Sequence, residues 1–285
     1  ITDEGRHLRR LPLPPRLARM VVDAAALGQA LLAAEIAALI GERGLGGDDV
    51  DLRERLARLH RDRAPRTRDA RAMAARWAES ASASPVTSPP AAERELSIGA
   101  LLALAYPERI AKNRGGGAGA FLLANRRGAA VDPASPLARE PYLAVAELAG
   151  SAAIGRILLA APITLEKIEA RFADRIESRE EIAFDAARAS LRGRRSERLG
   201  ALILSDQPLP ITPDEQTAGK LAAGIAGIGI DRLPWTKALR QWRDRVMFLR
   251  QSEGEEWPDP SHIALVQRAG EWLAPMLLTK TALAE

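Results

Sequence analysis

Apolar residues recur at helical spacing through the first 80 positions. Leu17, Met20, Val21, Ala24 and Leu27 share one face behind Pro14-Pro15, where a first-turn proline forfeits no hydrogen bond. The pattern predicts one helix up to Gly28, a second over 29–40, and two arginine-rich helices over 51–60 and 66–77, with a glycine-rich loop at 41–47. These make a small helical bundle. Residues 80–92 carry no charge and, besides Val86, no large aliphatic side chain, which predicts a flexible linker. Farther on, apolar runs shorten to strand length at 120–124, 142–148 and 154–162. In the second run Leu143, Val145 and Glu147 alternate with Tyr142, Ala144, Ala146 and Leu148. A helix over 164–172 and strands over 181–187 and 199–204 complete the set expected of a small β-barrel of the OB type. Helical spacing returns over 213–228, over 234–250 and from 258 towards 273. The predicted fold is therefore multidomain α+β, divided as 1–92, 93–205 and 206–285.

Composition adds exclusions. The 285 residues are 47% hydrophobic but only 4% aromatic, so helix propensity is high and large core anchors are scarce. The absence of cysteine removes disulfides, thiol catalysis and Cys-ligated metal sites, and fits a cytoplasmic protein. No apolar run is long enough for a membrane span. The opening at Ile1, without an initiator Met or a signal pattern, reads as the interior of a domain, so a fragment of a larger protein is expected. The net charge of +4 is modest. Its excess lies before residue 206, while the last part has 9 basic against 11 acidic residues and holds four of the five Trp. Arginine suits phosphate better than lysine does, although genomic GC bias also inflates arginine and alanine.

Nucleotide chemistry has no foothold. The chain has neither a G-x-x-x-x-G-K-[ST] loop nor an acidic D-E-x-H-type run. The glycines of 115–119 precede a predicted strand, whereas a dinucleotide site needs strand, glycines and then helix. His7, His60 and His262 lack ligand spacing, so no metal or catalytic residue is assigned. The Trp235, Ala238, Leu239, Trp242, Val246 and Leu249 stripe could stack bases, but its one-face spacing favours core.

Cations cluster in three places. Arg53, Arg55, Arg58, Arg61, Arg63, Arg66 and Arg68 form a dense run, readable as a solvated helical face or a nucleic-acid contact. Around the glycine-rich loop, Arg109, Lys112, Arg114, Arg126 and Arg127 form a candidate phosphate-contacting rim on the barrel. Arg192, Arg194, Arg195 and Arg198 would extend this groove if they share the barrel face.

Residues 2–20 (TDEGRHL onwards), 105–129 (AYPERIA and LLANRRGA) and 198–275 carry three sets of motifs that, in this order, resemble the HrpB family of bacterial ATP-dependent RNA helicases of the DEAH type. Residues 2–8 (TDEGRHL), 11–13 and 15–20 resemble the winged-helix to ratchet join of DEAH helicases broadly. Residues 105–111 (AYPERIA), 122–129 (LLANRRGA), 144–148 and 156–163 resemble the OB-like domain of HrpB. Residues 198–204, 233–235, 245–250, 257–259 and 271–275 resemble its C-terminal extension. The resemblance implies a ratchet-like bundle over 1–92, the OB-like barrel over 93–205 and the HrpB-type extension over 206–285. It further implies an RNA-dependent ATPase and unwinding motor whose RecA-like domains lie upstream and bind ATP and Mg, with no cofactor in this chain. The expected partners are single-stranded RNA, or another nucleic acid, and those upstream domains, with no membrane. Arg109, Lys112, Arg114, Arg126, Arg127, Arg194 and Arg195 are the candidate RNA contacts. The rival reading is a protein-interaction module that docks a partner or the motor domains without touching RNA.

Overall fold

A computed structural model describes residues 2–82, 96–115, 119–150 and 154–284. The expected linker falls outside them from residue 83 onwards, as does the 116–118 part of the glycine-rich loop. The chain divides into two compact units, residues 1–177 with 198–204, and residues 178–197 with 205–285.

The first unit begins with helices α1 (Asp3–Leu8), α2 (Pro15–Ala26), α3 (Ala30–Gly41), α4 (Leu52–Arg61) and α5 (Pro65–Ser82). Pro15 opens α2 as expected, and Leu17, Met20, Val21 and Ala24 are buried. Helix α3 is apolar almost all round and sits centrally, packed by α2, α4 and α5. Its buried Glu35 is bonded at 2.8 Å to His60 Nε2 of α4. The sequence pattern overlooked α6 (Ile98–Ala105), an apolar helix capped by Ser97. A Cβ on Gly99 would stand 2.0 Å from the Pro162 carbonyl oxygen, so only glycine lets α6 seat this closely on the next layer.

That layer is a closed five-stranded barrel of β1 (Ile110–Asn113), β2 (Ala120–Leu123), β3 (Gly128–Ala130), β4 (Tyr142–Ala149) and β5 (Ile154–Pro162), ordered β1-β2-β3-β5-β4. The β3–β5 pair is parallel and the others are antiparallel. Leu143 and Val145 point into the barrel with Phe121, Leu123, Ile157 and Leu137. Tyr142, Ala144 and Ala146 point outward into the core shared with α2, α3 and α6. The alternation expected along 142–148 fails after Ala146. A register shift between Val145 and Glu147 reverses the faces, so Leu148, not Glu147, packs against the barrel interior.

Beyond the barrel come α7 (Leu165–Phe172) and a three-stranded antiparallel sheet of β6 (Ile176–Asp185), β7 (Ser190–Leu199) and β8 (Leu202–Leu209). The β7–β8 turn belongs to the first unit. Ala201 donates to the Ala124 carbonyl at 2.9 Å, and Leu199, Leu202 and Leu204 enter the shared core. The remainder of this sheet belongs to the second unit with α8 (Glu215–Ile228), α9 (Lys237–Glu253), α10 (His262–Gln267) and α11 (Ala269–Trp272). The core of that unit joins Leu191, Leu221, Ile225 and Leu273. Helix α9 departs from expectation: it starts only at Lys237, beyond the half-buried Trp235, and along it only Val246 is buried while Leu239 and Trp242 are exposed. The single final helix expected towards Leu273 is instead two short ones, broken at Arg268.

Candidate nucleic-acid interface

The β1–β2 hairpin positions most of the candidate cations. Its strands are antiparallel, with Ala111 opposite Leu123. Arg109 therefore lies at the same end as the β2–β3 turn, where Ala124 and Asn125 donate to the carbonyls of Ile110 and Glu108. Arg114 lies at the other end, five residues and about 16 Å away along an extended chain. The five-residue rim is thus split: Arg109, Arg126 and Arg127 come together, and Arg114 does not join them.

Two of these cations are held by the fold. Arg109 lies over the Tyr106 ring, with Cζ 4.6 Å from its centroid, and donates to the Ala146 carbonyl in the irregular stretch of β4. Arg16 of α2 approaches the same ring at 5.7 Å and pairs with Glu108. The tyrosine, glutamate and arginine of residues 106–109 thereby clasp α2 to the barrel mouth. Burial raises the Tyr106 hydroxyl above its ordinary pKa, against the pull of Arg109 and Arg16. The bond to Glu108 is the main cause that raises Arg16. Lys112 donates to the Ile203 carbonyl near the start of β8, and its Nζ lies 5.8 Å from the Tyr142 ring centroid. Arg16 was absent from the sequence candidates because nothing in its helix announces a partner 92 positions away.

Arg126 and Arg127 differ. Both are exposed, and neither side chain has a hydrogen bond or ion pair among the described residues. The turn that presents them is well fixed. Arg126 N–H donates to Leu123 O at 2.9 Å, Leu123 N–H to Arg127 O at 2.9 Å, and Arg127 N–H to Asn125 Oδ1 at 3.2 Å. Arg126 has φ 71°, in the left-handed region that favours glycine. Two adjacent guanidinium groups on a rigid turn can receive phosphate oxygens without reading bases.

The third cluster is divided between the two units, with Arg198 in the first. Arg192, Arg194 and Arg195 lie on β7, in the separate sheet and the other compact unit. Each faces a carboxylate across strands: Arg192 to Asp185 at 3.0 Å, Arg194 to Asp206 at 3.0 Å and Arg195 to Glu180 at 2.6 Å. Such exposed cross-strand pairs support the sheet modestly. Among the described residues, no group of His, Asp and Glu could hold a metal ion, and no helix is long and apolar enough to cross a membrane.

A family model described as "ATP-dependent RNA helicase HrpB, connector region" matches residues 175–209, the stretch that forms the three-stranded sheet. The ATP-dependent RNA helicase HrpB of Escherichia coli is 29% identical over 279 residues, covering 96% of this chain and 33% of that protein. The chain thus spans about a third of the relative's length. A crystal structure of the E. coli DExH-box NTPase HrpB superposes with a TM-score of 0.60 at 27% identity, covering 97% of this chain and 33% of that one. A second, of the E. coli DEAH/RHA helicase HrpB, gives a TM-score of 0.57 at 24% identity, covering 100% and 34%, and supports the fold.

Proposed function

Because the chain belongs to the HrpB family of DEAH helicases, as its non-motor region, we propose that it holds single-stranded RNA for motor domains that lie elsewhere in the protein. In this reading RecA-like domains bind ATP and Mg and perform hydrolysis, and this chain, which has no nucleotide-binding motif, supplies grip in the cytoplasm. The observation that carries the reading is the β2–β3 turn, where Arg126 and Arg127 stand exposed and unpaired among the described residues on a barrel packed to its centre. Their guanidinium forks receive successive phosphates, so binding is tolerant of sequence and sensitive to salt. Arg109 and Lys112 shape the surface, since each is already bonded to a carbonyl. Arg114 offers a separate contact at the far end of β1. Arg194 and Arg195 would reach RNA only by exchanging their carboxylate partners.

Titration of oligouridylate into the chain at several salt concentrations tests this. The R126Q/R127Q variant is expected to bind about tenfold more weakly, and its log–log salt slope to shrink by about 1.4, or 0.7 per lost phosphate contact. Unchanged affinity in that variant would refute the barrel-turn role.

A second reading has its own observation. Trp242 and Phe248 on α9 are 60% and 68% exposed, although half-burial of Trp235 and Trp272 ties them to the second unit. Such side chains fit a protein-docking surface, for a partner or for the motor domains. A W242A variant that keeps its RNA affinity but loses association with the motor domains would support docking there.

A further inference from the structure

The seven arginines of the 53–68 run separate in the folded chain. Arg53 turns onto Asp51 at 2.7 Å, and Arg55 donates to the Asp49 carbonyl. Arg58, Arg61 and Arg66 instead line one open cleft of about 540 Å³ with Gly44, Gly47 and Thr67. Arg58 and Arg61 share a face of α4, three residues apart, and Arg66 comes from the first turn of α5. Buried Leu45 and Thr67 form the floor.

The remaining wall is the glycine-rich loop. Gly44, Gly46 and Gly47 hold φ of 76°, 70° and 87°, a backbone path that side chains would strain. Within the loop, Leu45 N–H donates to Glu42 O and Gly47 N–H to Gly44 O, and the N–H groups of Gly44 and Gly46 take no part. A Cβ on Gly47 would stand 2.5 Å from Arg58 Nη1, so this guanidinium lies against bare loop backbone.

The carboxylates nearby are largely committed. Asp62, the one acid that lines the cleft, accepts from Thr67 Oγ1 at 2.6 Å and Ala64 N–H at 2.9 Å, and the Thr67 bond is the main cause that lowers its pKa. At the edge of the cleft Arg58 pairs with Asp49 at 3.5 Å and Arg66 with Glu42 at 3.7 Å, both long contacts that an incoming anion can displace. Arg66 also donates to the Arg43 carbonyl at 2.6 Å, which fixes its head at the rim. The lining therefore presents three guanidinium groups and a glycine backbone against one carboxylate.

We propose that this cleft is a binding site for phosphate groups, carried by the backbone of a nucleic acid or by a free polyphosphate. Guanidinium forks match phosphate oxygens, and an open glycine backbone lets the anion approach closely. The site is independent of the barrel turn. Two probes distinguish the sources: inorganic pyrophosphate and oligouridylate, each titrated into the 285-residue chain while the amide signals of Gly44, Gly46 and Gly47 are followed. Pyrophosphate moving those signals supports a free polyphosphate, and oligouridylate alone moving them supports a nucleic-acid backbone. In either case R61Q/R66Q is expected to weaken the response about tenfold, while R126Q/R127Q leaves the glycine shifts in place. Glycine signals that neither probe moves overturn the proposal. So does an R61Q/R66Q variant with the wild-type melting temperature and undiminished shifts.

Discussion

Arg126 shows how one residue can carry a cost that the fold does not need. Its left-handed backbone disfavours any side chain by about 1–2 kcal/mol, and glycine would remove that penalty. R126G should therefore raise stability by about 1 kcal/mol in urea unfolding while weakening RNA binding, a trade that a purely structural residue would not make. Tyr106 makes the opposite case. Two guanidinium groups approach its ring, and Y106L should lower stability by about 1–2 kcal/mol, with Y106F close to the wild type. The arginines at 126 and 127 were legible in the sequence as exposed cations on a strand exit. The capture of Arg109 was not, because its acceptor is a carbonyl made available by an irregularity in β4 that the alternation 142–148 does not announce.

Elements were legible where length or periodicity was sufficient. Helices α2, α3, α4, α7 and α8 follow their apolar spacing, and β4 and β5 follow their apolar runs. Strand β3 escaped because Gly-Ala-Ala has no apolar signature of its own and exists through pairing with β2 and β5. Strand β7 escaped because its arginines read as a cationic cluster, although Arg192, Arg194 and Arg195 each answer a carboxylate on a neighbouring strand. Helix α6 hides a constraint in a short apolar run. G99A forces a methyl into the Pro162 carbonyl and should cost about 1–3 kcal/mol by chemical denaturation. In the second unit, Asp214 and Thr217 cap α8 reciprocally at 2.7 and 2.8 Å. The Thr217 backbone bond is the main cause that lowers the Asp214 pKa. Its contribution is thus complete above the ordinary carboxylate value of about 4 and fades as pH falls through the lowered native value. Melting curves between neutral and acid pH should show D214A less stable than the wild type at neutral pH, with the gap closing on acidification.

At the scale of the molecule, the first unit is discontinuous in sequence: residues 1–177 need 198–204 to complete them. Leu199, Leu202 and Leu204 are buried in the core shared by helices and barrel. A chain ending at residue 177 should therefore unfold at a lower denaturant concentration than one ending at 204. During synthesis, this unit reaches its full packing only after the β7–β8 turn has left the ribosome, so its last core residues are delivered after a stretch of chain that belongs to the other unit. The turn fastened to Ala124 thereby acts as a checkpoint on assembly order: translation must pass through part of the second unit before the barrel's neighbour core can close.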